Sequence, residues 1–379
     1  MKKNLFNVFV PVVGCFALSL VACTPSDPGT ASIDVSNTDK TYEIHTDVQK
    51  SFLDGQDPSA TIIGASTFEQ SKPNPINLDY KIETDNGART TSETVVVSEK
   101  EDLSDAKEID AHNLYNLKVG TQYYFKVKAK FKTVETVSEV STFTVADAAP
   151  RNIYLDTMGN FRDLGGWKIG TDKVVKQGMI YRSPEFNKSY TGESLLSGKD
   201  LNYVVQDLGI KTDIDLRTNY SETKGYENAG ITTSPLGSTV RYQYCGMKFQ
   251  SQNILTRTDN KDNIKVFFDT LADETVYPVV FHCAQGKDRT GCMAFLVNAL
   301  LGVSTNDLEM DYMFTNFTEY GGSLLNIRKD VEQRYFATIA QYKTGDYTFA
   351  QKTYAYLNEQ IGVSTQNLDK IISLLTETK

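Results

Sequence analysis

Ten residues, "HCAQGKDRTG" from His282 to Gly291, gather a thiol, a lysine, an aspartate, an arginine and two glycines. The run before them, "YPVVFH", is short, apolar and β-branched, as a buried strand should be. The run after them, "TGCMAFLVNALLG", puts Phe295, Leu296, Ala299 and Leu300 on one helical stripe, with Gly302 able to close it. The loop therefore sits at a helix N-terminus, where backbone N–H groups lack helical partners and the dipole favours negative charge. A thiol held there, Cys283, should ionise below its ordinary range. Gly286 lets N–H groups curl closely round an anion. Arg289, six residues after Cys283, offers a planar fork for two oxygens of a tetrahedral anion. A thiolate beneath such a cradle is equipped to attack a phosphate ester and form a cysteinyl-phosphate.

The elements that must hold this loop are legible on both sides of it. After "ADAAP" (Ala146 to Pro150), short β runs alternate with longer amphipathic stretches, which predicts an α/β domain. "GIKTDIDLR" reads as a strand entering a loop and "KVFFDTLAD" as a helix. "STNDLEMDYMF" reads as a helix capped by Ser304 or Thr305. Ser323 to Leu375 reads as helical, in two or three pieces. From about Tyr42 to Val145 the pattern is β. "TQYYFKVKAKF" alternates Tyr123, Phe125, Val127, Ala129 and Phe131 against Tyr124 and three lysines, and "ETVVVSE" and "STFTVAD" are further strands.

The chain has 379 residues, which predicts two folded units. Its net charge of −9 argues against a nucleic-acid partner, which calls for a basic face. The imbalance lies in residues 24–150, with 12 Lys and Arg against 21 Asp and Glu. Residues 151–379 are nearly neutral, 25 against 27, and can accept an anionic substrate. His282 is the single histidine after residue 150, so a Cys–His dyad, a Ser–His–Asp triad or a histidine-rich zinc site lacks its parts.

The spacing Cys-x5-Arg with His282 before it, Gly286 within it and Thr290 after it resembles the signature of cysteine-dependent phosphatases. "NFRDLGGW", "MIYRSPEF" and "DIDLRTNYSE" upstream and "LLGVSTNDLEMDYMFTN" downstream sharpen the likeness. Together they resemble the bacterial and fungal tyrosine-phosphatase family whose loop reads HCxxGKDRTG, across about residues 152–376. That resemblance implies a central, largely parallel sheet flanked by helices, no metal or other cofactor, and hydrolysis of phosphomonoesters. It implies Cys283 as nucleophile and Arg289 as phosphate clamp. Backbone N–H groups of Ala284, Gln285, Gly286, Lys287, Asp288 and Arg289 would complete the cradle. Thr290 would hydrogen-bond the sulfur. His282 would orient the loop from behind, or serve as an ordinary buried histidine.

The general acid is open between Asp288, which we favour, and Asp215, which could instead orient Arg289 or Arg217. Lys287 reads as rim charge suited to multiply phosphorylated or inositol-phosphate head groups, or as a solvated lysine. Arg162, Asp163 and Arg182 read as scaffold. Cys292 reads as core, and Cys245 as a candidate reversible disulfide partner of Cys283.

The N-terminus carries Lys2 and Lys3, an apolar stretch interrupted by Pro11, and then "LVAC". This resembles a bacterial lipobox, with residues 1–22 as signal peptide, Cys23 as the lipidated residue and 23–40 as a tether. The expected location is extracytoplasmic, anchored to a membrane in the periplasm or at the cell surface. "LYNLKVGTQYYFKVKAK…SEVSTFTV" resembles the closing strands of a fibronectin type III or immunoglobulin-like sandwich. We place that all-β unit at 41–147, where it could dock a protein or glycan, and the phosphatase domain at 151–379. Three cysteines remain past Cys23, an odd number that forms no disulfide framework. The expected activity is that of a lipid-anchored phosphatase acting on phosphotyrosine, with phosphoserine and phosphothreonine next. Phosphoinositide or inositol-phosphate hydrolysis is the alternative within that chemistry. An inactive phosphate-binding module is the alternative from another class.

Overall fold

In the chain's N-terminal part, alternating burial builds one large sheet. The structure, a computed structural model, describes residues 26–36, 39–55, 72–218, 225–248, 254–320 and 331–379. Cys23 and the signal segment lie outside these residues. The elements run β1 (Ala31–Val35), β2 (Lys40–Tyr42), helix α1 (Asp47–Leu53), β3 (Tyr80–Thr84), β4 (Ser92–Ser98) and β5 (Lys107–Asp110). β6 (Gln122–Lys130), β7 (Glu135–Val137) and β8 (Ser141–Val145) follow. The six-stranded sheet has the order β2-β8-β6-β4-β5, with β7 also on β6. Tyr123, Phe125, Val127 and Ala129 of β6 are buried, as the alternation required. β1 and β3 pair separately and pack Ile33, Val35 and Tyr80 against the same core. The reading of 23–40 as a tether is corrected from Ala31 onward, because β1 pairs with β3 there and packs on the core of the N-terminal unit.

From Arg151 onward the pattern changes to α/β. The strands are β9 (Arg162–Asp163), β10 (Lys168–Ile169), β11 (Lys173–Val175), β12 (Ile180–Ser183), β13 (Thr212–Asp215), β14 (Arg241–Tyr244) and β15 (Val279–His282). Helix α2 (Lys261–Leu271) precedes β15. Helices α3 (Asp288–Leu301), α4 (Thr305–Met313), α5 (Phe349–Ala355) and α6 (Thr365–Leu375) follow it. The central sheet has the order β14-β13-β15-β12-β9, with four parallel strands and β9 antiparallel at one edge. β15 is buried along its whole length, which explains its unbroken apolar run. Gly302 closes α3 at φ +97°, and the Ser304 side chain caps α4 by accepting from Asp307 N. The described part of the stretch read as helical, up to Leu375, is helical in separate pieces, and a short strand follows it. β16 (Thr376–Thr378) pairs with β11, and residues 321–330 lie outside the described ones.

Helix α1 does not join the core of the sheet beside which it lies in sequence. Its Phe52 is fully buried among the α/β core residues, edge-on to Phe317 at 5.5 Å between ring centroids.

Candidate active site

β15 lies between β13 and β12 and delivers His282 and Cys283 at its C-terminal end, where ligands of open α/β sheets bind. The loop from Ala284 to Lys287 then turns into α3. Its shape is enforced from outside, through its carbonyls. Glu185 N donates to Ala284 O at 3.2 Å, Asn160 Nδ2 to Gln285 O at 2.8 Å, and Arg182 Nη2 to Gly286 O at 2.8 Å. A trans peptide holds each N–H opposite the preceding carbonyl. Pinning three successive carbonyls outward therefore turns the N–H groups of Gln285, Gly286 and Lys287 inward. Gly286 has φ +66°, and a Cβ there would come within 2.6 Å of Ser183 O, so glycine alone fits.

The two arginines read as scaffold are what grip this frame. Asp311 of α4 accepts from Arg162 Nε at 2.9 Å and from Arg182 Nη1 at 2.6 Å. Thr315 Oγ1 donates to Asn160 Oδ1 at 3.1 Å. Asp163 lies apart from the loop, accepting from the backbone of Gly165 and Gly178 and pairing with Arg151.

Arg289 enters from the first turn of α3 and is 2% exposed. Its Nη1 and Nη2 donate to the two oxygens of Glu227 at 2.8 and 2.7 Å, a bidentate pair. Burial alone would raise the Glu227 carboxyl. Arg289, helped by Thr218 N and Oγ1, outweighs it and holds Glu227 below its ordinary value. Glu227 thereby fixes the plane of the guanidinium through its Nη edge. Thr290 is fully buried, and its hydroxyl has no hydrogen-bond partner among the described residues.

His282 is fully buried behind Cys283. Its Nε2 lies 3.1 Å from Asp213 Oδ1, an ion-pair distance at an angle outside hydrogen-bond geometry. Burial would lower the imidazole's pKa, but Asp215 and Asp213 outweigh it and raise it.

The two candidate acids are placed differently. Asp215 is fully buried and meets Arg217 from its backbone N at 2.9 Å, from Nε at 3.0 Å and from Nη2 at 2.7 Å. Tyr242 OH donates to it as well, at 3.1 Å. Burial would raise this carboxyl, yet His282 and Arg217 hold it below the ordinary range. It is a carboxylate partner of Arg217, poorly suited to give up a proton at neutral pH. Asp288 is half-buried in the first turn of α3, with its charge near Cys292 and Tyr335. Lys287 corrects an expectation: at 3% exposure it is an inner residue of the loop, since the turn into α3 folds it under rather than onto a solvated rim. Gln285 is the exposed member of the loop and Ala284 is half-buried. Cys292 is core as expected. Cys245 is fully buried with its thiol pushed up to about 12, chiefly by burial, which makes it a poor exchange partner.

Sequence reasoning missed Glu227, Asp213, Asn160 and Asp311. Of these, Asn160, Asp213 and Asp311 stand inside the quoted motifs "NFRDLGGW", "DIDLRTNYSE" and "LLGVSTNDLEMDYMFTN". It also missed a set of tyrosines. Tyr190 and Tyr244 lie close enough to Glu227 and Arg289 to feel both charges, and Tyr320 close enough to feel Cys283. Among the described residues, no group of three or more His, Cys, Asp or Glu side chains is disposed to hold a metal ion.

The model of a family described as the tyrosine phosphatase family matches residues 153–377, more than half of the chain. A Cupriavidus necator protein provisionally named a tyrosine-protein phosphatase is 26% identical over 180 residues. That match covers 44% of this chain and 63% of the relative, so it spans less than two thirds of the relative's length. Two solved structures are also similar. One is the core catalytic domain of the PP-IP phosphatase SIW14 from S. cerevisiae in complex with citrate, at 17% identity, covering 43% of this chain and 93% of that one. The other is a Siw14 catalytic core, at 15% identity, covering 43% and 92%. Both have a TM-score of 0.26, too low to carry an argument about substrate.

Proposed function

Because the chain belongs to the tyrosine phosphatase family, we propose that it hydrolyses phosphomonoesters through a cysteinyl-phosphate, with phosphotyrosine as its preferred substrate class. One observation carries the reading: three tied carbonyls turn a run of N–H groups inward beside Cys283, with Arg289 locked across from Glu227. Such preorganised donors stabilise the charge that develops on the equatorial oxygens of a transferring phosphoryl group. In the first step the Cys283 thiolate forms an S–P bond as the ester P–O bond breaks, and the departing oxygen takes a proton. In the second, water attacks phosphorus, the S–P bond breaks, and phosphate and the thiolate are released. Thr290 stabilises that leaving thiolate.

Tyr190, Tyr244 and Tyr320 give the surroundings of the loop an aromatic character that suits an aryl phosphate. The burial of Lys287 removes the rim charge that would have favoured inositol polyphosphates. The kcat/KM of the full chain for a phosphotyrosine peptide should exceed that for inositol hexakisphosphate and for phosphoinositide vesicles. The reverse order would assign the site to inositol phosphates.

Asp288 is our proton donor. Asp288→Asn should lower kcat about 10²-fold for phosphotyrosine, whose leaving group needs the proton, and flatten the basic limb of the pH–rate profile. Asp215→Asn should keep that limb and destabilise the fold by about 3–5 kcal/mol, because Arg217 would be left buried without its main partner. Since Asp215 titrates below its unfolded value of about 3.9, its contribution is present above that pH and is lost on acidification through the folded pKa. If Asp215→Asn instead removes the limb, the acid role passes to Asp215.

We also propose that Cys23 is lipidated after removal of residues 1–22 and anchors the protein outside the cytoplasm. Cys23→Ser should move the protein from the detergent-extracted membrane fraction to the soluble one. A wild-type chain that incorporates no labelled fatty acid would remove the anchor. For the N-terminal unit we keep the immunoglobulin-like reading, with its start moved from 41 back to Ala31 because β1 packs on its core, and with the phosphatase domain beginning at 151.

A further inference from the structure

We propose that helix α1, which lies within the N-terminal sheet module in sequence, is a positioning element of the phosphate loop, acting through Phe52 and His45. The inference rests on the phosphatase reading of the loop. α1 is short, but its start is well fixed. Thr46 and Gln49 form a reciprocal capping box, the side chain of each accepting from the backbone of the other. That fixed start sets Phe52 into a cage made by Phe317 at 5.5 Å and Phe314 at 6.4 Å. His45, just before the cap, is 2% exposed and meets Phe314 edge-on at 5.9 Å. Its Nε2 lies 2.9 Å from Pro150 O and its Nδ1 3.2 Å from Glu43 Oε1.

Phe314 and Phe317 bound a single 3₁₀ turn, Phe314–Phe317, that continues directly from α4. The turn's other side is the site. Thr315 accepts from Arg162 Nη2 at 3.3 Å and donates to Asn160 Oδ1 at 3.1 Å. Asn160 in turn holds Gln285 O. Asp311, three residues before Phe314, orients Arg182, which holds Gly286 O. One layer of aromatic rings therefore separates α1 from the residues that turn the loop's N–H groups inward.

The module that carries α1 is clamped in register with the α/β domain elsewhere. Asn116 exchanges hydrogen bonds with both Tyr154 N and Tyr154 O, and Gln177 does the same with Val119 N and Val119 O. Each domain thus grips the other's backbone through an amide side chain. Removing Phe52 would open a cavity under the turn, which packed interiors fill only by shifting. A displacement of well under 1 Å at Thr315 would reach both carbonyl ties, and catalysis is sensitive to misplacement on that scale.

The test compares Phe52→Ala, Phe52→Leu and Val127→Ala in the full chain, at a temperature well below each variant's Tm. Val127 is fully buried in the sheet core and takes no part in the relay, so it reports destabilisation alone. The readouts are kcat and KM for p-nitrophenyl phosphate, and the Kd for tungstate, an oxyanion that binds without turnover. Phe52→Ala should lower kcat/KM by about 10- to 100-fold and weaken tungstate binding about tenfold. Phe52→Leu should restore both to within about threefold. Val127→Ala should lower Tm and leave both kinetic constants and the tungstate Kd unchanged. If Phe52→Ala lowers only Tm, α1 is a structural prop and the proposal fails. If Val127→Ala reproduces the kinetic loss, the effect belongs to general loosening and the proposal also fails. A wild-type chain that binds tungstate without hydrolysing any phosphomonoester would overturn the phosphatase reading instead, while the tungstate comparison would still judge the role of α1.

Discussion

Cys283→Ser is expected to lower kcat for p-nitrophenyl phosphate by at least about 10⁴-fold, the scale of loss seen when an enzyme's nucleophile is deleted. A serine hydroxyl is a far weaker nucleophile than the thiol it replaces and a poorer leaving group in the second step. Binding should respond differently from turnover. The loop is shaped by Asn160, Arg182 and Glu185 N acting on its carbonyls, and none of those bonds involves the sulfur. The tungstate Kd of Cys283→Ser should therefore stay within about tenfold of wild type. EDTA in the assay should leave the wild-type rate unchanged. A serine variant that keeps more than about 1% of kcat would remove Cys283 as nucleophile. A wild type no faster than the variant, with tungstate still bound, would make the domain an inactive phosphate-binding module.

The parts of the site that could be read from sequence are those built by neighbours along the chain. The strand, loop and helix around Cys283 are encoded in an unbroken apolar run, a glycine that must adopt φ +66° and an amphipathic stretch closed by Gly302. Local pattern also places the start of α4 at Ser304 or Thr305, and the structure makes Ser304 the cap. What could not be read depends on which distant side chain meets a buried charge. Arg289 needs a carboxylate, and 48 acidic residues compete for that role in the composition. Glu227, in "GYENAG", has no spacing or periodicity that marks it out. Lys287 looked like rim charge because it is polar and stands in a loop. The tight turn into α3 buries it instead. The capping box of α1 is legible as Thr46-x-x-Gln49, so the helix itself could have been found. Its attachment to the α/β core could not, because Phe52 contributes one apolar residue that either core could take. Asp215 shows the same limit from the other side. A carboxylate at a strand end looks available for catalysis until Arg217, two residues on, closes around it.

Glu227→Ala is expected to lower kcat/KM by about 10²- to 10³-fold, comparable with deleting one oxyanion donor, although Glu227 touches no reacting atom. The loss follows from geometry. Arg289 is nearly fully buried and its Nη edge is committed to Glu227 at 2.7 and 2.8 Å. Without that carboxylate the guanidinium can rotate toward the carbonyls of Leu216 and Met247, which already lie 3.4 and 3.5 Å from Nη1. A fork turned that way no longer presents two donors in the plane of the phosphoryl oxygens. Tungstate affinity should fall in parallel with kcat/KM, which separates this variant from Cys283→Ser, where binding survives. Glu227→Gln should lie between wild type and alanine, because an amide oxygen still accepts one of the two hydrogen bonds but supplies no charge. Arg289→Lys should lose about 10³-fold, since an ammonium cannot make the bidentate contact on either side. If Glu227→Ala leaves tungstate binding and kcat/KM within threefold of wild type, the pair is only a structural ion pair and the orientation of Arg289 is set by α3 alone. The double variant Glu227→Ala/Arg289→Lys should then be no worse than Arg289→Lys if the carboxylate works solely through the guanidinium, because a positioning residue has nothing left to position once the group it holds is gone.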